Sequence, residues 1–331
     1  GDHEGRGEAE GDANMKRILF LGTSEFAVPS LRVLLDDTRF DIVGVVTQPD
    51  RPVGRHAIIT PPPIKTLAVE HDIPVFQPEK MKDLKEDATF LSLMDPRPDA
   101  FVVVSYGKIL PQWSLDLPAK GIVNVHGSIL PRWRGASPIQ AAIAAGDAVT
   151  GVTVMKIDAE LDHGPILAAR EESILSDDTG ATLHDRLADI GGAMLPDVLA
   201  GYLDDAIAPV EQDHTKATAC RTLTRDDGKI DWTKNAVEIE RLVRAYTPWP
   251  GTWTLVDGKR LKILAARVAD PEPTKKPGDL FVSDAVIASS TKQSPSRRLL
   301  ISCADASALE LVTVQPEGGK PMSGAAYAAS R

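Results

Sequence analysis

Residues 18–27 read I-L-F-L-G-T-S-E-F-A, and their order sets the architecture of the N-terminal half. Four apolar residues follow one another without a break, as in a strand that is buried on both faces. Gly22 permits a tight turn, and Thr23 or Ser24 can cap a helix that begins near Phe26. A buried strand that leads directly into a helix predicts an α/β fold.

The same alternation continues along the chain. We predict strands at Asp41–Thr47, Ala100–Ser105, Gly121–Val125, Thr150–Lys156 and Pro165–Arg170, with helices at Phe26–Asp37, Ile64–His71 and Thr182 to about Leu203. Strands and helices in this order indicate βαβ units with right-handed crossovers. The expected fold is therefore a Rossmann-like open, mostly parallel sheet. The first turn lacks the G-x-G-x-x-G pattern, which argues against a dinucleotide at that turn.

The length of 331 residues suits two domains. Residues 1–14 hold five acidic groups and one Arg without a large apolar side chain, so we expect a disordered extension or a remnant of cloning. We assign 15–203 to the first domain, 204–220 to a linker, and 221–331 to a small OB-like β-barrel domain. The barrel should contain one helix near Val237–Tyr246 and strands at Ile230–Trp232, Trp253–Val256, Leu261–Val268, Leu299–Cys303 and Leu309–Val314.

Composition excludes several classes of protein. The chain is 43% hydrophobic and 25% charged, with no run of the roughly 18 apolar residues that a membrane span needs. No secretory signal pattern is present, and Cys220 and Cys303 have no zinc-site spacing, so we expect a cytoplasmic monomer without a metal or a membrane partner. The formal charge of −10 argues only weakly against nucleic acid, because charge distribution matters more than the sum.

Asn124 and His126 form the first candidate site. Residues i and i+2 of a strand project to the same face, and ligands of open α/β sheets bind at the carboxyl ends of the strands. An amide and an imidazole together can stabilise charge that develops on a carbonyl oxygen. Asp162, in the loop D-A-E-L-D-H-G, is the best candidate to orient the imidazole or accept a proton. His163 alone does not complete a metal site. From spacing alone, an ordinary structural histidine is the more frequent explanation.

Four segments resemble the 10-formyltetrahydrofolate-dependent formyltransferase family. They are F-L-G-T-S-E-F-A-V-P-S-L (20–31), T-Q-P-D-R-P-V-G-R (47–55), N-V-H-G-S-I-L-P-R-W-R-G-A-S-P-I-Q (124–140) and G-V-T-V-M-K-I-D-A-E-L-D-H-G-P-I-L (151–167). Two further segments, R-A-Y-T-P-W-P-G-T-W (244–253) and V-Q-P-E-G-G-K-P-M (314–322), resemble the members of that family that act on tRNA. The resemblance extends from Met15 to about Tyr327.

This resemblance implies an activity and its residues. The reaction would transfer a formyl group from 10-formyltetrahydrofolate to the α-amine of methionyl-initiator tRNA, with Asn124, His126 and Asp162 at the catalytic positions. The folate would contact Ser128, Ile129, Leu130 and Pro131, and its pteridine ring would lie in a slot that includes Ile109 and Leu110. The first domain would then be the catalytic one, and the barrel would bind tRNA.

The cations of the second half support an RNA partner. Residues 216–267 carry eleven Lys and Arg against six Asp and Glu, interleaved with aromatic residues. We expect Trp249 and Trp253 to belong to the barrel core. In the first long loop, Arg51 and Arg55 are the candidate tRNA contacts. His56, Ala57, Ile58 and Ile59 stand where the family usually has a glycine and lysines, so that loop has fewer cations than its relatives.

Three alternatives stay open at this point. One is a formyltransferase that acts on another amine, such as an amino-sugar nucleotide, although the C-terminal segments argue against it. The second is a folate- or RNA-binding module without catalysis, which would be favoured only if the three candidate catalytic residues did not converge. The third is a hydrolase that releases formate, which would need water at the site and no basic second domain.

Overall fold

The computed structural model describes residues 15–54, 56–269, 276–286 and 295–330. The predicted extension, residues 1–14, and the candidate tRNA contact Arg55 therefore lie outside the described residues. The chain forms two compact units, each built from three segments. The first comprises the described parts of Gly1–Arg134, Gly151–Arg170 and Arg186–Ala217, and the second those of Gly135–Thr150, Glu171–Asp185 and Thr218–Arg331.

The N-terminal sheet has seven strands. The first ten strands of the chain are β1 (Lys16–Gly22), β2 (Phe40–Val46), β3 (Arg51–Val53), β4 (Ile58–Thr60), β5 (Val75–Phe76), β6 (Ala100–Val104), β7 (Ile122–His126), β8 (Arg134–Gly135), β9 (Val149–Lys156) and β10 (Ile166–Ser173). The sheet order is β10–β9–β7–β6–β1–β2–β5. The pairs β1–β2, β1–β6, β2–β5 and β6–β7 are parallel, whereas β7–β9 is antiparallel. The predicted mostly parallel Rossmann-like sheet is confirmed.

Eight α-helices accompany the strands in the described part of the chain. They are α1 (Val28–Leu35), α2 (Pro63–Glu70), α3 (Ala88–Leu93), α4 (Gln112–Leu115), α5 (Pro138–Ala145), α6 (Gly180–Leu203), α7 (Ala236–Ala245) and α8 (Gly324–Ala329). Helix α6 continues through Pro196, and the neighbouring Leu195 and Leu199 are fully buried. None of these helices is both long enough and apolar enough to cross a bilayer.

The C-terminal sheet is antiparallel and has six strands. The strands that follow β10 are β11 (Ala219–Cys220), β12 (Thr252–Val256), β13 (Lys259–Ala269), β14 (Leu280–Val286), β15 (Pro295–Ser302), β16 (Ala308–Pro316) and β17 (Met322–Ser323). The order is β12–β13–β16–β15–β14, and β17 pairs with β16. The closure into an OB-like barrel stays a prediction.

Helix α7 covers the apolar face of this sheet. Ile239 and Val243 pack in one cluster with Leu261, Ile263 and Leu309. Its start is fixed by a capping box, in which Asn235 Oδ1 accepts from Glu238 N at 2.9 Å. The predicted strand Ile230–Trp232 was wrong, because this segment forms only a bridge from Lys229 to Trp253. The sequence pattern also failed to predict β14.

Candidate active site

Strand β7 carries Asn124 and His126 to the carboxyl edge of the first sheet. Asn124 lies between Val103 of β6 and Met155 of β9, and His126 is opposite Thr153. Both side chains are buried, with exposures of 9% for Asn124 and 6% for His126. Strand parity places them on the same face. Among the residues that the structure describes, the Asn124 side chain has no hydrogen-bond partner, so its amide can donate to a ligand.

His126 is held between a carbonyl and a carboxylate. Its Nε2 lies 2.9 Å from the carbonyl oxygen of Trp133, and because a carbonyl only accepts, Nε2 carries a proton. Its Nδ1 lies 3.7 Å from Asp162 Oδ2, which is too long for a direct hydrogen bond. The ring can therefore donate from Nδ1 only when both of its nitrogens carry a proton. Such a group can stabilise a developing oxyanion.

Backbone in the left-handed region surrounds this histidine. Trp133 has φ +61° and Asp162 has φ +49°. Such a conformation costs about 1–3 kcal/mol for a non-glycine residue and persists where the surrounding structure enforces it. At Trp133 the unusual backbone accompanies a carbonyl that contacts Nε2 of His126. Sequence reasoning missed this role of Trp133, since a backbone carbonyl leaves no signature in the residue type.

A backbone hydrogen bond closes the base of the loop that carries Asp162, and we call this base the neck of the loop. Lys156 N donates to Pro165 O at 2.9 Å, which joins the end of β9 to the residue before β10. Inside the loop, Asp158 accepts from Glu160 N at 2.9 Å and contacts His163 Nδ1 at 2.7 Å. These bonds give the loop a defined shape. The structure thus brings Asp162 beside His126, as the sequence predicted.

The turn after His126 contains the four residues predicted to contact folate. Ser128 Oγ donates to Arg132 O at 2.6 Å, and Thr153 Oγ1 donates to Ser128 O at 2.7 Å while it accepts from Leu130 N at 3.1 Å. The side chains of Ser128 and Leu130 are buried. Ile129 and Pro131 are partly exposed. Thr153, which sequence reasoning missed, therefore fixes the shape of this turn.

The segment that follows β6 carries the other two predicted folate contacts. Ile109 is 90% exposed, whereas Leu110 packs against the core of the sheet. The carbonyl of Tyr106 accepts from Thr23 Oγ1 at 2.9 Å and from Gln48 Nε2 at 3.1 Å. Burial raises the pKa of the Tyr106 phenol to about 12. The capping candidate Thr23 thus supports the segment 106–110 instead of a helix.

The first long loop forms a small hairpin of β3 and β4. Arg51, the described member of the two candidate tRNA contacts, forms an ion pair with Glu79 at 3.0 Å. Both partners are more than half exposed, so the pair contributes little to stability. Val53, Ile58 and Ile59 are also more than half exposed. The hairpin therefore exposes three apolar side chains.

His163 does not belong to a metal site in the described part of the chain, where no group of three or more His, Cys, Asp or Glu could hold an ion. It contacts Asp158 and stacks on His214, with ring centroids 4.0 Å apart. The histidine beside Asp162 thus has a carboxylate at its Nδ1 and a second imidazole stacked on its ring.

Family models match both halves of the chain. Residues 16–199 match the family described as formyl transferase, and residues 222–331 match formyl transferase, C-terminal domain. A protein named methionyl-tRNA formyltransferase from Pseudomonas putida is 46% identical over 307 residues, which cover 93% of this chain and 93% of that protein. Its namesake from Methylococcus capsulatus is 44% identical over 307 residues, which cover 93% of this chain and 94% of that protein.

A solved structure has the same fold at low identity. It is titled as the N-formyltransferase from Helicobacter canadensis in complex with folinic acid and dTDP-3-aminofucose. It superposes with a TM-score of 0.60 at 16% identity, and the match covers 90% of this chain and 99% of that one. At this identity the likeness concerns the fold alone.

Proposed function

This chain belongs to the formyltransferase family and transfers a formyl group to methionyl-initiator tRNA, and we propose that Asn124, His126 and Asp162 catalyse this transfer. The observation that carries the proposal is their convergence at one strand edge, where Nδ1 of His126 lies 3.7 Å from the Asp162 carboxylate. Within the described ranges the Asn124 side chain has no hydrogen-bond partner, so its amide can donate to the substrate oxygen.

The proposed reaction needs no covalent intermediate with the protein. The α-amine of the methionyl group attacks the formyl carbon, and the carbonyl oxygen becomes a tetrahedral oxyanion. The Asn124 amide and Nδ1–H of protonated His126 hold this oxygen by hydrogen bonds that are strongest in the transition state. Asp162 orients the His126 ring and, through water, takes the proton that the amine loses. The carbonyl then re-forms as the bond from the formyl carbon to the donor nitrogen breaks, and that nitrogen takes the proton back from Asp162 through water.

The formyl donor is a folate derivative, and we assign it to 10-formyltetrahydrofolate. Solved structures of this fold include one titled as a complex with tetrahydrofolic acid. In this chain, the rigid turn 128–131 supplies fixed backbone groups for a flat, polar-edged ring. The exposed side chain of Ile109 supplies apolar surface that a bound pterin would cover.

The tRNA needs a second surface, which we assign to the C-terminal unit. Arg225, Trp249, Trp253, Arg260 and Lys262 form what we call the basic-aromatic face. Arg260 lies over the Trp253 ring at 3.9 Å, Arg225 lies over Trp249 at 6.0 Å, and Lys262 is opposite Trp253 across β12–β13. Trp249 is 50% exposed, so the prediction that it belongs to the core was wrong. Exposed cations and ring faces together fit an RNA backbone with accessible bases.

The remaining assignments follow from this substrate. Charged initiator tRNA is used where translation begins, so we place the protein in the cytoplasm. We also propose that it is a monomer. We keep the division into a catalytic region, 15–203, a linker, 204–220, and a tRNA-binding region, 221–331, as part of the proposal.

The direct test compares amine acceptors and variants. We expect the protein to formylate methionyl-initiator tRNA and not a free amino-sugar nucleotide. His126→Ala and Asn124→Ala should each lower kcat by about 10²–10³, with folate binding nearly unchanged, because each removes a donor to the oxyanion. Asp162→Asn should keep the fold, as measured by circular dichroism, and lose activity. A variant with near-normal turnover would remove that residue from the proposed mechanism.

A further inference from the structure

Residues 204–220, which follow α6, were predicted to be a linker. Hydrogen bonds join this segment to the loop that carries Asp162. Val210 and Ile166 exchange two backbone hydrogen bonds, of 2.7 and 2.8 Å, at the start of β10. Two residues later, Gln212 is only 5% exposed. A buried glutamine in an otherwise exposed polar segment requires hydrogen-bond partners, because an unpaired buried amide is costly.

All four hydrogen-bonding capacities of the Gln212 amide are used. Nε2 donates to Asp162 O at 3.0 Å and to Gly164 O at 2.7 Å. Oε1 accepts from Arg134 Nε at 3.2 Å and from Arg134 Nη2 at 2.7 Å. Carbonyls only accept and a guanidinium only donates, so the orientation of the amide is unambiguous. Gln212 thus joins the backbone of the Asp162 loop to the side chain of Arg134.

Arg134 is the residue after Trp133, whose carbonyl contacts Nε2 of His126. One amide therefore connects the two segments that flank the histidine. Arg134 Nη2 also lies 2.8 Å from His214 Nδ1, and the His214 ring stacks on His163, the residue after Asp162. The segment around residue 212 therefore contacts the Asp162 loop twice. Gln212 donates to two of its backbone carbonyls, and His214 stacks on the ring of His163.

We propose that Gln212 is a positioning residue that sets the place of the Asp162 carboxylate relative to His126. This inference rests on the proposed function, since it assumes that Asp162 acts in catalysis. Asp162 has φ +49°, a sparsely populated conformation that needs support from its surroundings. The bonds of Gln212 to the carbonyls of Asp162 and Gly164 supply that support. With the amide removed, the loop can relax and the distance between the two side chains is no longer fixed.

The first test replaces the glutamine in the full-length protein. Gln212→Ala should lower kcat for methionyl-tRNA by about 10- to 100-fold, because small displacements of a catalytic group have effects of that size. The KM values for folate and for tRNA should stay unchanged. Gln212→Glu keeps the size and can pair with Arg134, but it cannot donate to two carbonyls, so it should lose activity as well. Glu211→Ala, at the exposed neighbouring position, is the matched control and should behave as the wild type.

A double-mutant cycle separates positioning from general stability. If Gln212 acts through Asp162, then Gln212→Ala should have little further effect in the Asp162→Asn background. Equal effects of Gln212→Ala in both backgrounds, or normal kcat in the single variants, would overturn the proposal.

Hydrogen exchange gives an answer that does not depend on activity. In Gln212→Ala, amides of the peptide 157–164 should exchange faster than in the wild type, and in Glu211→Ala they should not. Unchanged exchange would show that Gln212 does not hold the loop, and the inference would fail by itself. Faster exchange together with normal turnover of Asp162→Asn would instead mean that the catalytic role of Asp162 fails, and Gln212 would lose its assigned effect on catalysis with it.

Discussion

Among single residues, the two cysteines show how burial alters one chemical group. Cys303 is 2% exposed within the apolar cluster under α7, and burial raises the pKa of its thiol to about 12. Cys220 is partly exposed. Neither thiol lies among the residues assigned to catalysis. Their different surroundings predict different reactivity, because the thiolate is the reactive form.

We therefore expect one rapid equivalent of labelling by a thiol reagent in the native protein. Because the pKa of Cys303 is raised, its thiol stays protonated at about pH 9, where an ordinary cysteine has begun to ionise. Cys220→Ser should abolish the rapid phase, and unfolding should expose Cys303 and restore a second site. The measurement is the stoichiometry of a chromogenic disulfide reagent between about pH 7 and pH 9. Two rapid equivalents in the folded protein would contradict the burial of Cys303.

Among the structural elements, the neck of the Asp162 loop limits which residue can stand at position 164. A Cβ added to Gly164 would lie 2.2 Å from Lys156 O and 3.3 Å from Asp158 N. Both neighbours are backbone atoms, so they cannot move aside as a flexible side chain could. The close approach of β9 and β10 at the base of the loop therefore requires glycine here.

Gly164→Ala should open this neck. We expect a loss of about 1–3 kcal/mol in the free energy of unfolding, as for other overpacked sites, together with a lower kcat because Asp162 moves. Gly319→Ala is the matched control, since its added Cβ would meet the nearest atom at 3.3 Å in an exposed turn. Denaturant titration and steady-state kinetics provide the two readouts. Normal stability and turnover of Gly164→Ala would contradict a rigid neck.

For the molecule as a whole, a chain with a formal charge of −10 has to attract a polyanion. Some of the Lys and Arg side chains in residues 216–267 form ion pairs with acidic side chains, and others do not. Ion pairs neutralise several, among them Arg221 with Asp227 and Arg244 with Glu240. In the described ranges, other exposed cations form no ion pair, and these include Arg225, Lys229, Lys259, Arg260 and Lys262. Three of these five belong to the basic-aromatic face, which concentrates the attraction there.

Neutralising this face should weaken tRNA binding in a salt-dependent way. Arg260→Gln with Lys262→Gln should reduce the slope of log Kd against log salt by about two, because each removed cation leaves one phosphate with its counterions. Trp249→Ala should weaken binding with little change of that slope, because stacking releases few ions. Lys234→Gln, which removes one cation that pairs with Glu238 on α7, is the control. Equal slopes for the double variant and the wild type, measured by filter binding, would refute the assignment.

Local sequence patterns were enough to predict six of the seven strands of the first sheet, the helices α1, α2 and α6, and the placement of the candidate catalytic pair, but they missed β5 and the helices α3 to α5. Continuous apolar runs suit strands buried on both faces, and the two-residue period gives Asn124 and His126 a common face. Six motif segments predicted the family and, with it, the acceptor of the formyl group. In the C-terminal half the sequence pattern misplaced one strand and missed β14.

The contacts that hold the site together depend instead on the folded chain. Gln212 is 50 residues from Asp162 and 78 from Arg134, so no local pattern could connect them. The carbonyl of Trp133 acts through a backbone conformation with φ +61°, which the residue type does not encode. Trp249 was expected in the core, but it lies in the turn between α7 and β12 and is 50% exposed, and its exposure depends on how these two elements pack. Contacts between distant segments arise from the packing of whole elements, and they exist only once those elements have come together.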